Sequence, residues 1–105
     1  MYIHTFSFSD KFEWDPDKRL ENLNKHNIDF RRAIRIFDDP VAVKKSNQKG
    51  ETRQIAVGIL NHMEIAVVFT MRGENCRIIS ARRARNYERR EYRDLYTGGT
   101  GQTSR

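Results

Sequence analysis

The chain has 105 residues, of which 37% are hydrophobic and 10% aromatic, so it can form one domain with a modest core and is not expected to be disordered. Its single cysteine, Cys76, excludes an intrachain disulfide and fits a reducing cytoplasm, and no apolar run approaches the ~20 residues of a membrane helix. The formal net charge of +6 favours nucleic acid, an acidic protein or both as partners, and we expect a cytoplasmic location with no membrane partner.

The N-terminal residues predict a strand followed by a helix. Aromatic and β-forming residues alternate over residues 2–12, a pattern typical of a strand. Asp15 is a suitable helix cap before Pro16, which favours the first helical position. The helix is expected to run to about His26, because Asn27 can adopt the left-handed conformation that ends a helix.

A second helix is predicted directly after the first. Asp29 can cap it, and Asp39-Pro40 ends it. Between these points, apolar residues at positions i, i+3, i+4 and i+7 predict one buried stripe, made of Phe30, Ala33, Ile34 and Phe37.

The rest of the chain reads as a sheet and a final helix. Strands are predicted over residues 41–43, 53–60, 65–70 and 76–81, with a tight hairpin at Asn61-His62. A charged helix follows to residue 96. The order β-α-α-β-β-β-β-α predicts a single α+β domain over residues 1–96, with helices packed on an antiparallel sheet, and a disordered tail over residues 97–105.

Basic charge is concentrated in the second half of the chain. Residues 1–52 carry 10 basic and 9 acidic side chains, whereas residues 53–105 carry 10 basic and 5 acidic ones. Every basic residue of the second half is arginine. A guanidinium stays charged and presents a rigid fork of donors that fits phosphate oxygens, so this bias favours an anion site.

Two sequence blocks resemble the BrnT family. The first block comprises Phe12-x-Trp14-Asp15-x-x-Lys18-x-x-x-Asn22-x-x-Lys25-His26-x-Ile28-x-Phe30, then Ala33, Phe37 and Asp39-Pro40. The second comprises Arg53, Gly58, Arg77-Ile78-Ile79-Ser80-Ala81-Arg82-Arg83-Ala84, Glu88-Arg89 and Tyr92. The resemblance implies a bacterial type II toxin with a RelE-like fold that cleaves RNA. It further implies neutralisation by a BrnA-type antitoxin, through which the complex would bind operator DNA.

A ribonuclease without a metal cofactor needs positive charge to stabilise the phosphorane-like transition state, and arginine can supply it. We place Arg53, Arg82 and Arg83 on the scissile and flanking phosphates, with Arg72 and Arg77 as second choices. The alternative is that these residues are solvated surface charges or form ion pairs with nearby glutamates. Separated histidines and one cysteine offer no metal-ligand spacing, so no metal or other cofactor is expected.

Proton transfer needs a titratable group. His26 can act as base or acid near neutral pH, and Lys25 can donate to the leaving group or bind phosphate. Alternatively, both cations only offset the dipole of the first helix, and since consecutive helical residues point about 100° apart, one of the two is expected to face the site. Tyr92 can stack on a base, donate a proton or pack in the core.

Two functions therefore remain open. One is a small, metal-independent endoribonuclease toxin, with Lys25, His26, Arg53, Arg82 and Arg83 in catalysis and Arg72, Arg77 and Tyr92 in RNA binding. The other is a non-catalytic basic module that binds nucleic acid or an acidic protein, which explains the charge without proton chemistry.

Overall fold

The computed structural model of the chain describes residues 1–7, 11–48 and 50–97. The strands are β1 (Tyr2–His4), β2 (Phe12–Glu13), β3 (Val41–Gln48), β4 (Glu51–Leu60), β5 (Met63–Arg72) and β6 (Asn75–Arg83). The helices are α1 (Pro16–His26), α2 (Phe30–Ala33), which runs into a 3-10 helix (Ile34–Asp38), and α3 (Asn86–Tyr96).

The strands form one six-stranded sheet in the order β1-β3-β4-β5-β6-β2. All neighbouring pairs are antiparallel except β2 and β6, which are parallel. The α+β class is confirmed, but the sheet is mixed, so the expectation of an antiparallel sheet was wrong.

The predicted first strand is two short strands at opposite edges of the sheet. β1 pairs with β3 at one edge, and β2 pairs with β6 at the other. Between them, the ring of Phe6 packs edge-on against Phe37 and Phe69, at centroid distances of 5.6 and 5.7 Å. Packing this half-buried ring against the core takes the chain away from β3, so the alternating pattern did not produce one continuous strand.

The first helix forms as its end signals predict. The Asp15 carboxylate accepts a hydrogen bond from the backbone N–H of Asp17 at 2.8 Å, and Pro16 begins the helix. Asn27 ends α1 with φ of 59°, the left-handed conformation expected of it. The backbone N–H of Asn27 donates to the carbonyl oxygen of Leu23 at 2.9 Å, which satisfies one of the last free carbonyls of α1.

The second predicted helix is α-helical for one turn and then tightens. Asp29 caps it as expected, accepting from the backbone N–H of Arg31 at 2.9 Å. The tighter 3-10 helix buries Ile36, which is 2% exposed and lies outside the predicted stripe. Gly58 of β4 makes room for it, because a Cβ at that position would lie 2.9 Å from the Cβ of Ile36.

The four central strands are present and longer than predicted. β3 extends past Val43 because its polar second half pairs with β4, in register from Lys44↔Ile55 to Gln48↔Glu51. Asn61 and His62 form the predicted tight hairpin turn, with φ of 48° and 66°. α3 begins at Asn86 and ends before Thr97, and the rest of the predicted tail, residues 98–105, lies outside the described residues.

The sheet has a core on each side. The larger one lies under α2 and the 3-10 helix, and the smaller one lies under α3, where Tyr92 packs with Ala42, Val57 and Ala66. We call these two sides the α2 face and the α3 face. α3 lies mainly over β1, β3 and β4, so the α3 face of β5 and β6 is left partly open. Among the described helices, none is long and apolar enough to cross a membrane.

Candidate nucleic-acid site

A row of polar side chains crosses the α3 face of the sheet. Thr70 of β5 stands directly opposite Arg77 of β6. Since Gln54 pairs with Phe69, the preceding residue of β4, Arg53, falls opposite Thr70. The backbones of Arg53 and Arg77 are therefore about 10 Å apart, twice the spacing between neighbouring strands, with the small Thr70 between them.

This row forms the floor of a cleft of about 220 Å³, here called the arginine cleft. It is lined by Asp15, Lys18, Arg53, Thr70, Arg72, Arg77, Ile78 and Ile79. Arginine and lysine outnumber the single lining carboxylate, so the cleft favours an anion. The arginines come from three different strands, which fixes their backbones relative to one another.

Arg77 is held in position by an ion pair. Its Nη1 donates to the Glu13 carboxylate at 2.8 Å, and the Asn75 amide donates to the other oxygen at 2.9 Å. These hydrogen bonds from Asn75 and Arg77, with a further contribution from the Arg72 charge, lower the pKa of Glu13. A guanidinium carries several N–H donors, so one bond orients Arg77 without exhausting its capacity to bind an anion.

A second cleft of about 170 Å³ continues along α1, here called the imidazole cleft. It is lined by Lys18, Glu21, Asn22, Lys25, His26, Ile79 and Ser80. Lys18 and Lys25 are seven residues apart, about two helical turns, so both lie on the side of α1 that faces β6. The structure brings Lys25 and His26 into this cleft together, although only one of them was expected to face the site.

The imidazole of His26 is held toward its neutral form. Partial burial lowers its pKa, and the nearby charges of Lys25 and Arg82 lower it further. A neutral imidazole at pH 7 has a nitrogen lone pair free to accept a proton, which is the state required of a general base.

Two features of β6 shape the clefts. Phe69 pairs with Ile78 and Val68 with Ser80, so Ile79 is an extra, bulged residue, and it lines both clefts. Because of the bulge, Ser80 returns to the α3 face two positions after Ile78, instead of sharing the core side with it.

Asn22 attaches α1 to the edge of β6. Its side-chain amide donates to the carbonyl oxygen of Ala81 at 2.9 Å and accepts from the Ala81 N–H at 3.1 Å. It also donates to the carbonyl of Ile28 at 2.9 Å. The amide thereby satisfies backbone groups that β2 is too short to reach, and it fixes the distance between α1 and β6 across the imidazole cleft.

Arg82 lies next to the clefts but is committed to α3. Its guanidinium forms a two-pronged ion pair with Glu88, at 2.8 and 2.9 Å. The Glu88 side chain is fully buried and also accepts from the backbone N–H of Arg85 at 2.7 Å. Burial raises the pKa of Glu88, but the bonds from Arg82 and Arg85 outweigh it and the pKa is lowered. This geometry matches the ion-pair alternative for Arg82.

Arg83 and Tyr92 lie outside both clefts. Arg83 is exposed and pairs with Ile65, a residue of the larger core, so it faces away from Arg82. Tyr92 is 5% exposed and packs under α3, where its ring lies 5.2 Å from that of Tyr96. Little of the Tyr92 ring is accessible to a base, so the core-packing alternative describes its position.

Sequence reasoning missed Lys18, Thr70 and Ser80 as cleft residues. The seven-residue spacing of Lys18 and Lys25 was a usable signal, because it places both ammonium groups on one side of α1. Thr70 and Ser80 carry no such signal, since their place depends on strand register and on the bulge.

Other reactive groups include the thiol of Cys76 and possible metal ligands. Cys76 is buried, and burial raises the pKa of its thiol to about 12, which keeps it protonated. The described part of the chain has no group of three or more His, Cys, Asp or Glu side chains placed to hold a metal ion.

The chain matches the model of a known protein family. The model described as "Ribonuclease toxin, BrnT, of type II toxin-antitoxin system" matches residues 14–88, which include the lining residues of both clefts. No curated protein matches the chain.

Proposed function

The chain belongs to the BrnT family of ribonuclease toxins of type II toxin–antitoxin systems, and on that premise we propose that it cleaves RNA without a metal, in the groove formed by the arginine and imidazole clefts. The observation that carries the proposal is that the imidazole of His26 lines a cleft that adjoins the cleft of Arg53, Arg72 and Arg77, with Lys18 in the lining of both. Cations supply charge to phosphate oxygens, and the imidazole supplies a place for a proton.

His26 would act as the general base. It takes the proton of the ribose 2′-OH, the 2′-oxygen attacks the neighbouring phosphorus, and the bond from phosphorus to the 5′-oxygen breaks. Lys25 would donate a proton to that leaving oxygen. The products are a 2′,3′-cyclic phosphate and a 5′-hydroxyl. Lys18 would stabilise the negative charge that builds on the scissile phosphate, and Arg53, Arg72 and Arg77 would hold the strand through its phosphates.

The family implies a cognate antitoxin and an RNA substrate. We propose that the antitoxin is of the BrnA type, that it covers the basic groove with acidic residues, and that the complex binds operator DNA chiefly through the antitoxin. A RelE-like fold, action in the cytoplasm and inhibition of translation and growth complete the proposal. The basic groove supports the antitoxin contact because an acidic surface would neutralise its charge.

The test is RNA cleavage by the purified protein in the presence of EDTA. Wild type is expected to cleave, and His26→Ala is expected to lose at least about a hundredfold in rate, the usual effect of a general base. Arg35→Ala is the control and should cleave at the wild-type rate, because Arg35 is exposed on the 3-10 helix and lines neither cleft. Full activity of His26→Ala, or cleavage that stops with EDTA, would contradict the mechanism.

Growth separates this proposal from the non-catalytic binding module. Expression of the toxin alone should stop growth, and His26→Ala should relieve the arrest without loss of the folded protein. A wild-type chain that binds RNA, leaves it intact and does not affect growth would favour the module.

A further inference from the structure

We propose that the groove binds two consecutive phosphates of one RNA strand: the scissile phosphate in the imidazole cleft and a flanking phosphate in the arginine cleft, with Lys18 between them. This inference rests on the proposed ribonuclease function and extends it to the minimal substrate. A dinucleoside joined by one phosphate would fill only half of the site.

The two clefts lie one after the other along both walls of the groove. Lys18 and Lys25 are about 10 Å apart along α1, at 1.5 Å per residue. On the opposite wall, Arg77 and Ser80 are about 7 Å apart along β6, because Ile79 is bulged and their partners Thr70 and Val68 are two residues apart at 3.3 Å per residue. Arg77 lines the arginine cleft and His26 lines the imidazole cleft, so a phosphate centred beside one of them lies outside the cleft of the other.

The two clefts differ in the chemistry of their lining residues. The arginine cleft is lined by cations, a threonine and the carboxylate of Asp15, which caps α1, and its lining residues include no histidine. It can therefore bind a phosphate but is poorly suited to proton transfer. The imidazole cleft contains His26 and is suited to the reaction itself.

Lys18 connects the two clefts. It is exposed, lines both clefts, and within the described part of the chain forms no ion pair. Bulged Ile79 is the other residue common to both linings. The half-buried aliphatic side chain of Ile79 offers an apolar surface to the sugar between the two phosphates. The ammonium group of Lys18, at the end of a flexible stem, reaches either phosphate.

The experiment measures binding with uncleavable 2′-O-methyl dinucleotides of randomised sequence, so the result does not depend on turnover. The three probes are NpN, pNpN and NpNp, which carry no extra phosphate, a 5′ phosphate and a 3′ phosphate. At least one phosphorylated probe should bind about tenfold or more tightly than NpN, as expected for a charge-assisted contact with arginine. Equal affinity for all three probes would overturn the inference.

Variants test whether the higher affinity of the phosphorylated probes comes from the arginine cleft. Arg72→Ala, at an exposed position near the end of β5, should remove most of the difference between the phosphorylated probes and NpN, and should weaken the binding of NpN itself much less. Lys18→Ala should weaken the binding of all three probes, and Arg35→Ala should change none. If the phosphorylated probes still bind more tightly than NpN in both Arg72→Ala and the milder Arg53→Gln, the effect is general charge attraction and the subsite is rejected.

The same molecules with free 2′-hydroxyls separate this inference from the ribonuclease proposal. If longer RNA is cleaved but the extra phosphate changes neither affinity nor kcat/KM, the subsite is wrong and the nuclease stands. If the phosphorylated probes bind more tightly but no RNA is cleaved, the subsite stands and the nuclease proposal fails.

Discussion

The protonation of His26 is set by its neighbours on α1 and β6. Burial and the charges of Lys25 and Arg82 lower its pKa, so the neutral form predominates at pH 7. As the pH falls through this lowered pKa, His26 gains a proton and can no longer act as a base. We therefore expect kcat/KM for RNA cleavage to fall on the acidic side, at a pH below the ordinary histidine value of about 6.5.

Lys25→Ala tests this cause directly. Removing the neighbouring charge should raise the pKa of His26 toward its ordinary value, measured by NMR titration of the imidazole Cε1 proton. The acidic limb of kcat/KM should move by the same amount, on a lower overall rate, because Lys25 is also the proposed proton donor. Lys45→Ala, at an exposed position of β3, is the matched control and should move neither. A His26 pKa above 6.5 in wild type, or one that Lys25→Ala leaves unchanged, would contradict the electrostatic account.

The arginines show what a sequence can and cannot predict about a site. Arg53 was among the first choices and Arg72 and Arg77 were second choices, and the structure places all three around one cleft. Arg82 and Arg83 were expected to act together, but successive residues of a strand point to opposite faces. Whether each guanidinium meets a carboxylate depends on residues distant in the chain, as with Glu13 and Arg77, so sequence spacing could not decide between the alternatives.

At the scale of elements, α3 is attached to the sheet through a buried ion pair. Glu88 is 0% exposed and Arg82 is its guanidinium partner. Arg82→Ala would leave the buried carboxylate without that partner, so we expect the free energy of unfolding to fall by about 3–5 kcal/mol in urea titrations. Because the substitution weakens the attachment of α3, a loss of RNA cleavage in Arg82→Ala would not by itself assign Arg82 to the catalytic site.

A double substitution separates charge burial from packing. Arg82→Met/Glu88→Leu removes both charges and keeps much of the volume, so it should be more stable than Arg82→Ala alone. Arg90→Ala, at an exposed position of α3, is the control and should change the free energy of unfolding by less than about 0.5 kcal/mol. If Arg82→Ala unfolds at the wild-type urea concentration, the ion pair does not anchor α3.

Local signals predicted some elements better than others. Both ends of α1 were identifiable because Asp15 and Asn27 determine them within the helix itself. The two N-terminal strands were not, because their partners, β3 and β6, lie at opposite edges of the sheet. The tightening after Ala33 likewise depends on how the helix packs on Gly58, a contact between separate elements.

At the scale of the whole molecule, three carboxylates with lowered pKa join separate parts of the chain. Glu13 pairs with Arg77, Asp29 with Arg19, and Glu88 with Arg82. A carboxylate whose folded-state pKa lies below its unfolded value stabilises the fold above the unfolded pKa. That stabilisation is lost as the pH falls through the folded-state value. The free energy of unfolding should accordingly decline below about pH 4, where unfolded carboxylates begin to bind protons.

Asp29→Asn isolates one of these contributions. Asn also caps helices, so the substitution keeps the start of α2 and removes the charge that holds Arg19, whose Nε and Nη2 donate to Asp29 at 2.9 Å each. Hydrogen bonds from Arg19 are the main cause of the lowered pKa of Asp29. We expect the variant to lose about 1–3 kcal/mol at pH 7, a range typical of hydrogen bonds to a charged group.

The pH dependence of that loss is the decisive measurement. Urea titrations at pH 7, 4 and 2.5 should show the gap between wild type and Asp29→Asn narrowing with acid, because protonation of Asp29 removes the same charge that the substitution removes. Glu91→Gln, which changes an exposed carboxylate of α3, should show a small and nearly constant gap. A gap for Asp29→Asn that stays constant down to pH 2.5 would mean that the Arg19–Asp29 pair is not what joins α1 to α2.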